Sequence, residues 1–212
     1  GTGSGKSTLV QLIGRFYDAD QGRVKVFGID VKDYELQELR SKIGMVPQRA
    51  VLFHGTIREN LKVGKENASE KEMYEALKTA QALEVAESKE DGLDAVISEG
   101  GKNLSGGQRQ RLTIARALVR KPQILILDDS ASALDFATDA RLRRALKEDT
   151  ENMTVFLVSQ RVSSLMHADR ILVLEDGEPA GMGTHEELLK TCQVYREICR
   201  SQLSEKEVQA NG

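Results

Sequence analysis

Residues 1–8 read GTGSGKST, a glycine-rich stretch of the kind that holds phosphate groups between a strand and a helix of an α/β fold. The run matches the phosphate-binding loop (P-loop) pattern except for its missing first glycine. Its glycines let backbone N–H groups curl around phosphate oxygens, and the following helix offers its positive N-terminus. The predicted loop comprises Gly1, Thr2, Gly3, Ser4, Gly5, Lys6, Ser7 and Thr8. The alternative, a flexible Gly/Ser turn before a helix, is disfavoured by the Gly-Lys-Ser-Thr ending.

The side chains of this loop predict a nucleoside triphosphate as the ligand. Lys6 is expected to reach the β- and γ-phosphates, and the Ser7 hydroxyl is expected to hold Mg²⁺. A second metal contact is predicted at Asp128, which ends the apolar run ILILD at 124–128 and thus reads as a Walker B strand. In α/β sheets, ligands bind at the carboxyl ends of the strands, where Asp128 is placed.

The hydrophobic pattern predicts an α/β fold with a parallel-sheet core and a mostly helical insert at about 56–118. A capping box at Ser69–Glu72 predicts a helix that turns Met73, Leu77, Ala80 and Leu83 inward. Helices are predicted at 6–16, 34–42, 105–120, 135–147 and 184–204, and strands at 23–27, 43–46, 124–127, 154–158 and 171–174. The strands at 124–127, 154–158 and 171–174 are expected to be buried members of the parallel sheet.

Composition excludes several classes of function. The formal net charge is −3, so no overall basic field points to nucleic acid, and 4% aromatic residues with no Trp disfavour a base-stacking surface. No apolar run in this sequence is long enough to span a membrane, and its first residues, GTGSGKST, lack the basic and then apolar pattern expected of a signal peptide. Cys192 and Cys199 are expected to be reduced thiols on one helix face, without a disulfide or metal site. The polar last residues, SEKEVQANG, are expected to be frayed.

The chain begins inside the phosphate-binding loop, which normally follows a buried strand. We therefore expect this sequence to be a piece of a longer protein that lacks its N-terminal strands. Without them, the isolated piece is expected to fold poorly or to aggregate, because neighbouring strands lose ladder hydrogen bonds.

The run Leu104-Ser105-Gly106-Gly107-Gln108 resembles the signature of ABC ATPases. Ser105 can cap the following helix, and the two glycines leave N–H groups uncovered, so the helix start is a second phosphate-binding surface. The resemblance covers essentially the whole chain and implies a P-loop NTPase (RecA-like) core with an inserted α-helical signature subdomain. It also implies ATP and Mg²⁺ as ligands, and a head-to-tail pairing in which this signature closes over the ATP of a second nucleotide-binding domain.

Other motifs of the family follow in the expected order. Gln48 resembles the Q-loop glutamine that touches Mg²⁺, and Ser132-Ala133-Leu134-Asp135 resembles the D-loop at the dimer interface. The stretch VLFHGTIREN at 51–60, with Glu99 and Gly100, resembles exporters, whose domain follows a six-helix membrane domain. The resemblance therefore implies a location on the cytoplasmic face of the membrane, with a transmembrane domain upstream whose helices choose the substrate. An adenine-stacking aromatic residue is likewise expected upstream.

Two positions depart from the family pattern. Asp129 stands where a catalytic glutamate is expected, and Gln160 stands where a switch histidine is expected. Asp129 is shorter by one methylene, roughly 1.5 Å of reach, and Gln160 cannot take up a proton. We therefore expect this chain's own ATP site to be slow, as in the degenerate-site half of heterodimeric bacterial multidrug exporters. The partner domain is then a different chain.

Two alternatives stay open at this point. One is a non-transport ABC ATPase of DNA-repair, chromosome-maintenance or translation-factor type, which the absence of heptad runs between loop and signature disfavours. The other is a regulatory module that binds ATP without turnover, which the intact signature disfavours. Six apolar segments upstream in the gene would identify a transporter.

Overall fold

The computed structural model describes residues 4–130, 132–149 and 152–202, and it has the predicted α/β organisation. Gly1, Thr2, Gly3 and the tail SEKEVQANG lie outside the described residues. The helices are α1 Lys6–Ile13, α2 Leu36–Ser41, α3 Ile57–Lys62, α4 Glu70–Thr79, α5 Leu83–Glu87, α6 Gly106–Leu118, α7 Phe136–Asp149, α8 Val162–Leu165, α9 His185–Thr191 and α10 Gln193–Gln202. The strands are β1 Lys25–Val26, β2 Ile29–Asp30, β3 Ile43–Val46, β4 Gly55–Thr56, β5 Val96–Ile97, β6 Ile124–Asp128, β7 Thr154–Val158, β8 Ile171–Glu175 and β9 Glu178–Gly183.

The parallel sheet has the order β3-β6-β7, with β6 in the middle. All five residues of β6 are buried, as its continuous apolar run predicts. Alternate β6 residues point to opposite faces: Leu125 and Leu127 join the core with α4 and α6, while Ile124 and Ile126 join the core with α1 and α2. Both faces of the central strand are therefore covered, which fixes the register Ile43↔Ile124 and Ile124↔Thr154.

The helices between α3 and α6 pack on the Leu125 face of the sheet, in the region predicted as the helical insert. Capping boxes open three of them, at Thr56/Glu59, Ser69/Glu72 and Ser105/Gln108. Of the positions predicted to turn inward, Met73, Leu77 and Ala80 are fully buried, and Leu83 is partly buried.

The prediction that residues 171–174 form a strand of the parallel sheet is wrong. β8 pairs with β9 in a separate antiparallel sheet, with Glu175 opposite Glu178. Asp176 and Gly177 between them both have positive φ, 48° and 84°, and two such residues form the tight turn that sends a strand back alongside itself.

The prediction that residues 154–158 are fully buried is also wrong. Phe156 is 38% exposed and Thr154 is exposed. The reason is the position of β7 at the edge of the described sheet, where it pairs with β6 along one side.

The single helix predicted at 184–204 is broken at Cys192, which has an extended backbone (φ −114°, ψ 110°). Arg196 donates to the carbonyl oxygens of Leu189 and Lys190 and so satisfies the end of α9. Cys192 and Cys199 are both buried free thiols in one apolar cluster, but the break means that they do not share a helix.

Two other predicted elements are shorter in the structure than in the prediction. α1 stops at Ile13 because Gly14 ends it and Arg15 takes a left-handed φ of 50°. The strand predicted at 23–27 is reduced to β1, because Phe27 and Gly28 (φ 51° and 82°) form a turn to β2. Within the described ranges, every helix is too short or too polar to cross a lipid bilayer.

A buried histidine, His185, lies at the contact between α9 and α10. Its ring is buried, its Nδ1 lies 2.8 Å from the Tyr195 hydroxyl, and its Nε2 has no hydrogen-bond partner among the described residues. Burial lowers the pKa of His185, His167 lowers it further, and Glu186 opposes both. The neutral form therefore dominates in the folded state.

Acidification is expected to weaken folding through His185. The unfolded-state pKa of a histidine is about 6.5, and above that pH the free energy of unfolding keeps its full value. As the pH falls from there toward the lower folded-state pKa, the unfolded chain binds a proton that the folded chain does not, so the free energy of unfolding decreases. Urea unfolding at about pH 7.5 and about pH 5.5 measures this. His185→Gln should make the free energy of unfolding depend less on pH. His54→Gln, which replaces an exposed histidine, should leave this pH dependence as it is in the wild type. Equal slopes in the two variants would contradict the assignment.

Candidate functional site

A cleft of about 310 Å³ lies where the carboxyl ends of β6 and β7 meet the N-terminus of α1. Because parallel strands end at the same edge of the sheet, motifs far apart in sequence are brought together here. The cleft is lined by Ser4, Gly5, Lys6, Ser7, Thr8, Gln48, Asp128, Asp129, Val158, Ser159 and Gln160. It thus unites the described part of the predicted loop with Gln48, Asp128, Asp129 and Gln160.

The glycine-rich loop leads directly into α1. Gly5 takes a left-handed φ of 83°, a conformation that glycine adopts without steric cost, and stands at the N-cap of α1. Glycine has no side chain to cap the helix, and the first residues of α1 line the cleft, where an anion could satisfy their N–H groups. Lys6 Nζ lies 2.6 Å from Ser4 Oγ and lines the same cleft.

Ser7 and Asp128 form the oxygen-rich part of the cleft. Ser7 Oγ donates to Asp128 Oδ1 at 2.9 Å, and Asp128 is only 5% exposed. A buried carboxylate beside a hydroxyl is the hard-oxygen donor set that suits Mg²⁺, and the cation would offset the charge of the buried carboxylate. The donors present therefore fit the predicted metal.

Asp129 lies beside this pair, on a backbone of φ 47°. Its N–H donates to the Val158 carbonyl oxygen at 2.8 Å, and its Oδ2 accepts from Gln48 Nε2 at 3.2 Å. Burial raises the pKa of Asp129, the neighbouring Asp128 carboxylate raises it further, and the Gln48 hydrogen bond opposes the rise. The side chain is thus held toward Gln48 at the rim of the cleft.

Gln160 reaches the cleft from the loop between β7 and α8. It is exposed, and its backbone carbonyl oxygen accepts from Gln202 Nε2 at 2.7 Å. The next residue, Arg161, donates to the Ser132 and Leu134 carbonyl oxygens at 3.0 Å each. The loop that carries Gln160 is therefore joined to the predicted D-loop.

The predicted D-loop residues connect Asp129 with α7. Ser132 Oγ donates to the Asp129 carbonyl oxygen at 2.8 Å, and Leu134 is buried. Asp135 accepts from the Thr138 N–H and hydroxyl at the start of α7, and the N–H bond is the largest cause that lowers the pKa of Asp135. Ala133 is exposed.

The predicted signature residues lie outside the lining of the cleft. Ser105 Oγ accepts from the Gln108 N–H at 3.2 Å, and Gln108 Oε1 accepts from the Ser105 N–H at 2.9 Å. Leu104 is buried, whereas Ser105 and Gly106 are exposed at the start of α6. A side chain at Gly107 would meet the Ala133 carbonyl oxygen at 3.5 Å, so the signature packs beside the D-loop. The fold thus has a second helix N-terminus, separate from the cleft.

The exporter-like segment at 51–60 leads into the predicted helical insert and is only partly exposed, since Leu52 and Ile57 are buried. Phe53 is 52% exposed beneath the Arg116 guanidinium, and Asn60 binds the Phe53 N–H and carbonyl groups. Glu99 and Gly100 form a 3₁₀ turn in which Gly100 has a φ of 67°.

Sequence reasoning missed Ser159, Val158 and Arg161. Ser159 and Val158 line the cleft, and their place directly before Gln160 at the end of a predicted strand was a usable signal. Arg161 also follows Gln160, but nothing in the sequence pairs it with carbonyl groups near residue 132.

The comparisons with known proteins agree with this geometry. A family model described as "ABC transporter" matches residues 1–132. The chain is 51% identical over 201 residues to the uncharacterized ABC transporter ATP-binding protein YfiB of Bacillus subtilis, covering 95% of this chain and 35% of that protein. It is 44% identical over 204 residues to the ATP-dependent lipid A-core flippase of Pasteurella multocida, covering 96% of this chain and 35% of the flippase.

A solved structure of a bacterial Atm1-family ABC exporter with ATP bound matches with a TM-score of 0.92 and 36% identity, over 97% of this chain and 36% of that chain. The chain thus spans about a third of the length of the proteins that it matches. The predicted P-loop NTPase fold, with its parallel sheet, is confirmed by the family model and by this structural match. Its sequence and its fold together place the chain in the ABC transporter family.

Proposed function

We propose that this chain binds and hydrolyses ATP to power the export of a small molecule or lipid across a membrane. The observation that carries the proposal is the cleft itself, in which the helix N-terminus of α1, Lys6 and the Ser7–Asp128 pair converge. A bound triphosphate requires a cation and amide dipoles beside its phosphates, and its metal ion requires oxygen ligands. This cleft offers all three kinds of group.

Each group in the cleft has a role that follows from its chemistry. The N–H groups at the start of α1 and the Lys6 ammonium bind the phosphates, with the α1 dipole favouring the negative charge. Ser7, Asp128 and Gln48 would hold Mg²⁺, which supplies charge neutralisation when bound. Asp129 orients the attacking water, and Gln160 donates a hydrogen bond to the γ-phosphate.

Asp129 and Gln160 make this site slow. Asp129 is shorter than glutamate by roughly 1.5 Å, and its Oδ2 is engaged by the hydrogen bond from Gln48 Nε2. Gln160 stays neutral, so it cannot stabilise developing charge as a protonated histidine could. Both substitutions line the same cleft, so both would slow hydrolysis at one ATP site, the site of this chain.

The signature motif belongs to a different ATP. Ser105 and Gly106 are exposed at the start of α6 and do not line the cleft of their own chain. An exposed, glycine-flanked helix N-terminus suits the phosphates of a nucleotide on a second, facing domain. We infer a head-to-tail pair with a different nucleotide-binding chain, whose own catalytic groups complete an active site with this signature.

Export across the membrane is supported by the relatives. The solved structure is described as an exporter, and one relative is described as a flippase for lipid A-core. By analogy, this chain works at the cytoplasmic face of a membrane, joined to transmembrane domains that select the substrate. The rival class, a non-transport ABC ATPase, is opposed by the same matches over 95% or more of the chain.

Lys6→Ala in the full-length protein is expected to weaken ATP binding about 20-fold, because a charge-assisted contact with the phosphates is lost. Equilibrium binding of ATP with Mg²⁺ measures the effect. Lys25→Ala, which removes an exposed lysine on β1, should bind ATP like the wild type. A wild-type protein that does not bind ATP would refute the proposed function, and equal loss in both variants would refute the role of Lys6.

A further inference from the structure

Gln202, the last residue of α10, bridges two backbone groups of the loop that carries Gln160. Its Nε2 donates to the Gln160 carbonyl oxygen at 2.7 Å, and its Oε1 accepts from the Val162 N–H at 2.9 Å. A primary amide presents one donor and one acceptor side by side, so a single side chain satisfies both groups at once. These contacts join positions that are 42 and 40 residues apart in the sequence.

The bridge rests on a rigid support. Cys199 and Tyr195 lie on the same face of α10 as Gln202, one and two turns before it respectively, and both are buried with Val162 in one apolar cluster. Val162 is only 2% exposed. Apolar packing against Val162 of α8 therefore holds α10 in place in addition to the two hydrogen bonds of the amide.

The loop between β7 and α8, which carries Gln160, also makes hydrogen bonds to the predicted D-loop and to α7. Arg161 donates to the Ser132 and Leu134 carbonyl oxygens, and Ser164 Oγ donates to the buried Asp139 of α7 at 2.9 Å. Gln160 is the residue of this loop whose backbone carbonyl is bound by Gln202, and it also lines the cleft. The bridge thus holds the backbone of a residue that lines the cleft.

We propose that Gln202 is a positioning residue for ATP hydrolysis, which acts by holding the backbone on both sides of Arg161 so that Gln160 faces the γ-phosphate. This inference rests on the proposed function. It assigns the C-terminal helix a part in catalysis, because the contact comes from α10 rather than from any element of the cleft.

The test compares Gln202→Met and Gln202→Glu in the full-length protein with its partner. Met keeps the length of the side chain and removes both hydrogen bonds, whereas Glu still accepts from Val162 but repels the Gln160 carbonyl oxygen. Gln193→Ala is the matched control, since Gln193 begins the same helix and bonds only to Glu197 in the described residues. We expect single-turnover hydrolysis at this chain's site to fall about fivefold in both Gln202 variants, with the ATP dissociation constant within about twofold of wild type.

Two further readouts separate positioning from general damage. In a Gln160→Ala background, the Gln202 variants should cause no additional loss, because the residue through which Gln202 acts is gone. Hydrogen exchange at the Val162 amide should be faster in Gln202→Met than in wild type or Gln193→Ala.

The outcomes are distinguishable. Unchanged hydrolysis in both variants, an equal loss in the Gln160→Ala background, or unchanged exchange at Val162 would each overturn the role of Gln202. A wild-type protein that neither binds nor hydrolyses ATP would instead refute the proposed function, and the exchange at Val162 would still decide whether Gln202 holds the loop.

Discussion

The double variant Asp129→Glu/Gln160→His is expected to hydrolyse ATP at this chain's own site about 100-fold faster than the wild type. Glutamate extends the carboxylate by roughly 1.5 Å, past the position where Asp129 accepts the Gln48 hydrogen bond. Histidine supplies a group that can carry a proton where Gln160 cannot. The backbone at Asp129 has a φ of 47°, which glutamate tolerates less well than aspartate, so part of the gain is offset.

Single-turnover hydrolysis by the full-length protein with its partner is the measurement, with the two single variants beside the double. The ATP site of the partner is inactivated by mutation, so that the measured hydrolysis comes only from the site of this chain. Asp129→Asn is the matched control, because it keeps the length of the side chain and removes the charge; it should be slower than wild type. If the wild-type site already turns over as fast as the partner's site, the degenerate-site proposal is wrong.

Gly106→Asp is expected to slow hydrolysis at the partner's site by about 100-fold or more, because a carboxylate would face the phosphates that the signature covers. The substitution should not harm the fold. Gly106 lies in α6, and an added Cβ would find Arg109 Nη2 as its nearest atom, at 3.8 Å. A carboxylate in the first turn of a helix is also favourable to the helix dipole.

The control for added charge is Lys71→Asp, which places a carboxylate in the first turn of α4, another helix opened by a capping box. It should leave hydrolysis unchanged. ATP binding to this chain's own cleft should survive Gly106→Asp, since the signature does not line that cleft. Loss of binding at the own cleft, or unimpaired turnover at the partner's site, would contradict the head-to-tail arrangement.

Much of the fold could be predicted because it is encoded locally. The capping box at Ser69, the inward face of α4 and the run that becomes β6 were all found by spacing alone, since caps and periodicity depend on residues within a turn or two. The predicted residues of the cleft also converge as expected, because parallel strands place their carboxyl ends at one edge.

The errors have different physical reasons. Residues 171–174 read as a buried strand of the parallel sheet, although the Asp176–Gly177 dipeptide directly after them is a local signal for the tight turn that leads to β9. The break at Cys192 has no such signal, since no proline or glycine stands there; in the fold the Cys192 thiol contacts the Ala180 carbonyl oxygen, and Arg196 donates to the Leu189 carbonyl oxygen.

The family and most of the groups that line the cleft could be read from the sequence, and the sequence also predicts the class of ligand, because glycine spacing and side-chain chemistry are properties of short segments. How those groups are held follows only from the packed fold. Ser7 meets Asp128 across 121 positions, Gln48 meets Asp129 across 81, and Gln202 meets Gln160 across 42. Hydrogen bonds are directional and short, so pairs so distant in sequence are set by the packing of whole elements and leave no local pattern.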